Sequence, residues 1–182
     1  MLVKDIINKA CQLLNDENLA SALAGATLDE EGQEKVDCLV KCFNFALDEI
    51  ACEYHPIIKV EEVKTDNFII KFSSLSSPIL NVISVVDKKG RKVRFKVFSD
   101  YIFAYASEVE VIYSTKPTAL GIEDEFESNL PERVFAYGVI REYFYIQNLY
   151  EDMAAWEERF KNSLQVVTRR KSGVVIPKRW WR

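Results

Sequence analysis

The side chains that could do acid–base chemistry in this sequence are one histidine and several neighbouring carboxylates. His55 stands directly before Pro56, at the end of a predicted helix, where a hydrogen-bonding side chain is typical of a helix cap. Neighbouring carboxylates could act as general acid and base if burial raised the pKa of one of them. The candidate pairs are Glu61–Glu62, Asp124–Glu125 and Glu157–Glu158. All three lie in charged runs, which favours solvated surface positions over a glycosidase-like site.

The sequence lacks the common catalytic motifs. It contains no Gly-x-Ser-x-Gly elbow, no Gly-rich phosphate loop, no paired-histidine metal motif and no dinucleotide fingerprint. We therefore predict no catalytic residues and no enzymatic activity, with a small carboxylate-based enzyme as the weakest alternative.

The four cysteines do not have the spacing of a disulfide framework or a zinc site. They are Cys11, Cys38, Cys42 and Cys52. Cys38 and Cys42 could face one metal ion across a helical turn, but a cysteine in a helical stripe is more often a small buried apolar residue. We expect reduced core thiols, no metal site and no cofactor.

The charge is distributed unevenly along the chain. Residues 165–182 carry six basic and no acidic side chains, whereas the rest of the chain has 18 basic against 28 acidic residues, a balance of −10. A basic tail on an acidic body suits attraction to an acidic partner, and the body would repel a phosphate backbone.

The same tail contains apolar residues where no further fold is predicted to bury them. Tryptophan and arginine dominate the anchors of protein interfaces, and Pro177 favours an extended approach. We therefore predict that these residues bind a partner: Arg169, Arg170, Lys171, Val175, Ile176, Lys178, Arg179, Trp180, Trp181 and Arg182. The alternatives are a tail folded back on its own acidic body, and a grip on nucleic acid through phosphates and stacking.

Segments with helical periodicity lie on both sides of a predicted β region. Apolar residues recur at helical spacing in four segments, and strict alternation in Lys92–Val97 is typical of a half-buried strand. The four predicted helices are Val3–Leu14, a long one from a capping box at Thr27–Glu30 to Pro56, Val134–Gln147, and the stripe Met153–Leu164. The predicted strands are Ile57–Lys64, Phe68–Phe72, Ile79–Val86, Lys92–Val97, Tyr101–Ala106 and Glu108–Tyr113, with a hairpin loop at Asp87–Gly90.

These elements predict an α+β protein, mainly a bundle of about four helices with an inserted small antiparallel β-sheet and an extended C-terminal arm. We expect a helical core of residues 1–55 and 129–164, a β meander inserted over 56–117, and the arm over 165–182. Charges interrupt every apolar run before the roughly 20 residues that a membrane span requires, so we expect a soluble protein with no membrane partner.

The order of several segments resembles the head–tail connector proteins of tailed bacteriophages, also called adaptor or head-completion proteins. The resemblance covers nearly the whole chain. Its segments are the short first helix, the long second helix ending in Ala51-Cys-Glu-Tyr-His-Pro56, the β insertion, Tyr113-Ser-Thr-Lys-Pro117, Leu130–Pro131, Ala136-Tyr137-Gly138, Tyr143-Phe-Tyr145, and Glu151–Phe160 with Trp156.

This resemblance implies a structural virion protein. It would form a homo-oligomeric ring, typically of twelve copies, that is assembled in the host cytoplasm, docks on the portal protein and provides the platform for a downstream tail protein. Packaged DNA would pass through the ring without specific binding, and the arm would reach the portal or a neighbouring subunit. The alternative from another class is a host-type peptide- or nucleic-acid-binding module that uses the β-sheet as its binding face.

Overall fold

The computed structural model describes residues 1–23 and 29–171, with side chains up to residue 167. The chain forms two compact units. The helical unit contains Met1–Leu47 and the chain from Ala119 onward, and the sheet unit is the continuous segment Asp48–Thr118.

The described residues contain five α-helices: α1 Val3–Leu13, α2 Glu17–Leu23, α3 Glu30–Glu49, α4 Glu132–Ile146 and α5 Tyr150–Lys171. The prediction of a four-helix bundle is wrong, although the mixed α+β class is confirmed. Helix α2 lies in a stretch without a clear apolar pattern. Asn15 adopts a left-handed conformation with φ 57° that ends α1, and the Asp16 carboxylate accepts the Leu19 N–H at 3.1 Å to begin α2.

The beginning of α3 differs from the predicted capping box. Thr27 lies outside the described residues, and the observed N-cap is Asp29, whose Oδ1 accepts the N–H of Gly32 at 2.8 Å. Asp29 therefore supplies one of the acceptors that the free first-turn amides of a helix require. Along the chain, α3 is followed by a π-helical turn at Ile50–Tyr54, which ends where the amide of His55 donates to Ile50 O at 2.6 Å.

Helices α3, α4 and α5 approach one another closely at Gly138. A Cβ atom on Gly138 of α4 would lie 2.7 Å from Cβ of Ala46 and 3.1 Å from Cε2 of Phe160. Real Cβ contacts are not that short, so Gly138 allows these helices to approach. Next to it, Phe43, Phe126 and Phe135 form an aromatic cluster with ring centres 5.2–6.1 Å apart.

Hydrogen bonds attach α1 and α3 to the segment that follows the sheet unit. The amides of Val3 and Lys4 at the start of α1 donate to the carbonyls of Asp124 and Ile122 at 3.1 and 3.0 Å. The Asn44 side chain on α3 donates to Leu120 O at 2.9 Å and accepts the N–H of Leu120 at 2.8 Å. Residues 120–126 therefore complete the helical unit.

The sheet unit has two three-stranded antiparallel sheets instead of the one predicted. The strands are β1 Ile57–Lys64, β2 Ile69–Lys71, β3 Ile79–Asp87, β4 Phe95–Val97, β5 Tyr101–Ala104 and β6 Glu108–Thr115. Their order is β1-β6-β3 in one sheet and β2-β5-β4 in the other, so the predicted meander is also wrong. Strand β6 lies at the centre of its sheet. It is the most buried of the six strands, because a central strand is covered on both edges as well as on its inner face.

Both sheets contribute to one apolar core. It contains Val82, Val85, Val109, Val111 and Tyr113 from the first sheet and Ile70, Ile102 and Ala104 from the second. The predicted hairpin loop is present, since Gly90 has φ 72° and its amide donates to Asp87 O at 2.8 Å. Strand β4, which follows this loop, pairs with β5 in the other sheet.

The predicted extended arm begins too early, because α5 continues to Lys171. Residues 165–171 are helical, and residues 172–182 lie outside the described part of the chain. Among the described helices, none is both long and apolar enough to span a bilayer.

Candidate functional site

The predicted partner-binding residues of the tail are not placed by the structure. Arg169, Arg170 and Lys171 belong to the last turns of α5, but their side chains lie outside the described residues. The same holds for the whole of Val175, Ile176, Lys178, Arg179, Trp180, Trp181 and Arg182. Binding through this tail stays a prediction.

In each carboxylate pair considered for acid–base chemistry, one member has structural partners: Glu61, Asp124 and Glu157. Glu61 on β1 is not simply solvated, since it accepts hydrogen bonds from the Ser76 amide at 3.0 Å, the Ser76 hydroxyl and the Tyr113 hydroxyl. These bonds to the ionised form lower the pKa of Glu61 from its ordinary value, with Ser76 as the largest cause and Tyr113 next. Because its oxygens are occupied by these donors, Glu61 holds the 75–77 loop against β1.

We expect the substitution Glu61→Gln to destabilise the sheet unit at neutral pH by about 1 kcal/mol, a figure reduced for the partial exposure of the cluster. A carboxylate whose folded pKa is lowered stabilises the fold above its unfolded pKa of about 4.3. That contribution is lost as the pH falls through the folded pKa. The stability difference between wild type and variant should therefore close in acid, as measured by urea denaturation at several pH values. Glu62→Gln, on the exposed neighbour, is the control, and a pH-independent difference for Glu61→Gln would contradict this role.

A buried arginine joins the two helices of the α4–α5 hairpin. Arg141 is only 7% exposed. Its Nη1 donates to Glu157 Oε2 at 3.0 Å, its Nη2 pairs with Glu142, and its guanidinium carbon lies 4.7 Å from the ring centre of Phe160. Desolvation raises the pKa of Glu157, but hydrogen bonds from Lys161 and Arg141 outweigh it and hold this pKa below its ordinary value. These contacts hold α4 and α5 together, so the turn between the two helices is fixed in position.

The closed end of this hairpin carries exposed apolar side chains, which we call the hairpin tip. Its members are Tyr145, Ile146, Leu149 and Tyr150. Tyr145 is 57% and Tyr150 55% exposed, and their rings lie edge to face with centres 6.1 Å apart. Asn148 has φ 59°, and the Leu149 amide donates to Phe144 O at 3.0 Å, so the turn is ordered by its own backbone.

Such a tip is suited to protein contact and not to chemistry. Contiguous exposed aromatic and aliphatic residues are typical of interaction sites, because their removal from water stabilises a complex. The sequence signal for the tip was present in Tyr143-Phe-Tyr145 and Leu149–Tyr150, but the residues straddle a turn and do not form a stripe with helical spacing.

A second exposed apolar surface lies on the outer face of the sheet β1-β6-β3, which we call the outer sheet face. Ile58 and Val60 of β1 project there beside Ile112 of β6, and Leu80 and Ile83 of β3 are exposed nearby. The irregular register of β3 explains the exposure of Leu80 and Ile83, because bulges turn side chains out of alternation.

The cysteines fit the predicted core positions only in part. Cys11 and Cys42 are buried, as predicted, whereas Cys38 is half-buried and Cys52 is exposed. Burial raises the pKa of the Cys11 thiol to about 11 and also raises the pKa of Cys42, so both thiols are protonated at neutral pH. Within the described residues, no group of three or more His, Cys, Asp or Glu side chains has the arrangement of a metal site.

Comparisons with protein-family models and with curated proteins find no match for this chain. The geometry of the described residues therefore carries the functional interpretation.

Proposed function

We propose that the protein is a structural subunit of the phage head–tail junction, which assembles into a ring, docks on the portal and provides the platform for the tail. The observation that carries this proposal is the hairpin tip, an ordered apolar projection at the end of two helices. An apolar projection of this kind gains stability only when another surface covers it. The order of segments along the chain resembles that of connector proteins, and this resemblance is the reason for placing the protein in a virion.

The presence of two different apolar surfaces supports a ring. A head-to-tail contact joins two unlike surfaces of the same chain, and repeated contacts of this kind close into a ring when the rotation between subunits allows it. The hairpin tip and the outer sheet face are unlike in shape and belong to different units of the chain. In the proposed ring, the tip of one subunit covers an apolar surface of the next, while the tail residues from Arg169 onward reach the portal.

Substitution of the hairpin tip tests the proposal. We expect the full chain to form rings, alone or with isolated portal, visible by negative-stain electron microscopy and by light scattering after gel filtration. Tyr145→Ser with Leu149→Ser should weaken association by at least about 30-fold, because buried aromatic anchors contribute about 2 kcal/mol or more. Phe45→Ser, which removes a side chain that is 55% exposed on α3, is the matched control and should leave assembly unchanged.

The two possible failures are distinguishable. Rings that persist in the double variant would exclude the tip as the subunit contact but leave the connector role standing. A wild-type chain that stays monomeric with portal present would overturn the connector role itself and favour the binding-module alternative.

A further inference from the structure

The outer face of the small sheet β2-β5-β4 carries a continuous set of aromatic rings. Along β5 and the residue after it, Tyr101, Phe103 and Tyr105 alternate with the buried Ile102 and Ala104. Alternate residues of a strand point to the same face. With two neighbours from adjoining turns, these residues form what we call the aromatic face: Phe68, Phe98, Tyr101, Phe103 and Tyr105.

The rings of the aromatic face contact one another in two groups, Phe68–Phe103–Tyr105 and Phe98–Tyr101, and remain accessible. Phe103 lies 6.2 Å from Phe68 and 5.0 Å from Tyr105 between ring centres. Phe98 is stacked on Tyr101 at 4.7 Å and 17°. Tyr105 is 59% exposed, and Phe68 and Phe98 are exposed as well. Alternate residues of a strand start about 6.6 Å apart along the backbone, so these rings are spread along β5 and offer surfaces on which flat groups can stack.

Basic side chains border the aromatic face on both neighbouring strands. In the strand register, Lys71 of β2 is opposite Tyr101 and Lys96 of β4 is opposite Phe103. Arg94 lies beside Tyr105, whose amide donates to Arg94 O at 3.1 Å. Within the described part of the chain, Lys71, Arg94 and Lys96 form no ion pair, in contrast to Lys88 and Arg91, which pair with Glu108 and Asp87.

The local charge differs from that of the whole chain. Residues 88–96 contain six basic and no acidic side chains, whereas the full chain has a net charge of −4. Arg94, Lys96 and Tyr105 also line a shallow recess with Val93 and Phe95. The aromatic face therefore combines accessible rings with unpaired cations at its border.

We propose that the aromatic face binds single-stranded nucleic acid, with bases stacked on its rings and phosphates held by Lys71, Arg94 and Lys96. Stacking on aromatic side chains tolerates any base, because every base has a π face, and a basic border follows the backbone. A duplex keeps its bases inside the helix and offers no ring to stack, so single strands are preferred. This inference does not depend on ring assembly.

The test uses the full chain and a fluorescein-labelled oligodeoxythymidine of about 20 nucleotides, with binding followed by anisotropy. We expect Phe103→Ala and Tyr105→Ala each to weaken binding by about tenfold. Phe103→Tyr and Tyr105→Phe keep the rings and should bind as wild type does. Lys96→Ala should make the dependence of log K on log salt shallower by about 0.7, the loss of one phosphate contact on a single strand.

Three controls make the result decisive. Phe45→Ala removes a ring on α3 that is 55% exposed, close to the 59% of Tyr105, and should not change binding. Trp180→Ala with Trp181→Ala in the full chain tests whether the bases stack on the tail's tryptophans instead. The proposal would be overturned if that variant lost all binding while Phe103→Ala and Tyr105→Ala lost none. Competition by polyglutamate as effective as by oligodeoxythymidine would overturn it in favour of an acidic polypeptide partner. Thermal unfolding by circular dichroism verifies that each variant is folded.

Discussion

Replacing Gly138 with alanine should destabilise the helical unit by about 1–3 kcal/mol, the usual cost of adding a methyl group to a packed core. This loss of stability is opposite to the usual effect of the substitution, because alanine in place of glycine normally stabilises a helix by about 1 kcal/mol. At Gly138, the new Cβ would lie 2.7 Å from Cβ of Ala46. Both atoms are attached directly to helix backbone, so α3 and α4 must separate.

The contact between residue 138 and Ala46 can be tested by removing the Cβ atom of Ala46. In an Ala46→Gly background, Gly138→Ala should cost less, and a double-mutant cycle by urea denaturation and far-UV circular dichroism measures this coupling. Gly121→Ala is the matched control, because its new Cβ would meet Asp124 at an ordinary 3.5 Å. A Gly138→Ala variant as stable as wild type would show that the helices do not approach this closely.

Replacing Arg141 with methionine should destabilise the helical unit by about 3 kcal/mol at neutral pH, because the loss of one partner leaves charges uncompensated in a partly buried site. Methionine retains much of the volume of arginine above Phe160, so the loss is mainly electrostatic. Glu157 keeps Lys161 as a partner, whereas Glu142 loses its pair with Arg141. Arg159→Met is the matched control. That arginine is exposed, with its guanidinium carbon 4.6 Å from the ring centre of Trp156, and its loss should cost less than about 1 kcal/mol.

The pH dependence of the stability shows whether Arg141 stabilises the fold through its charge or through its packing. The folded pKa of Glu157 is lowered, so its contribution is full above the unfolded value of about 4.3 and is lost as the pH falls through the folded pKa. The stability difference between wild type and Arg141→Met should therefore narrow in acid. Adding Glu142→Gln and Glu157→Gln to the variant should recover stability at neutral pH. If the loss of stability in Arg141→Met is changed neither by acid nor by these substitutions, Arg141 stabilises the fold by packing alone.

Sequence patterns placed α1 and α4 well and the short α2 not at all. Apolar residues repeat over several turns in α1 and α4, so their observed bounds lie within a few residues of the prediction. Helix α2 has too few turns to show a period, and only the local pair Asn15–Asp16 marks its start. The last helix was predicted to end at Leu164, the last residue of its apolar stripe, but the helix continues without such a stripe to Lys171.

Strand positions were also largely predictable, but their pairing was not. Alternation marks a strand without naming its neighbour, and the choice of β6 as the centre of a sheet depends on contacts across the fold. The bond from Tyr113 to Glu61 joins residues that no spacing rule connects, which is why Glu61 was interpreted as solvated. The aromatic face arises in the same way, since Phe68 joins Phe103 only after β2 pairs with β5.

The discontinuity of the helical unit determines the order in which the protein can fold during synthesis. The sheet unit is one uninterrupted segment, so all of it can leave the ribosome and fold before α4 has emerged. Helices α1 and α3 must wait for residues 120–126 and α4, which at about 5–20 residues per second is a delay on the order of ten seconds for α1. During translation, their apolar faces are therefore exposed to chaperones while the sheet unit is already formed.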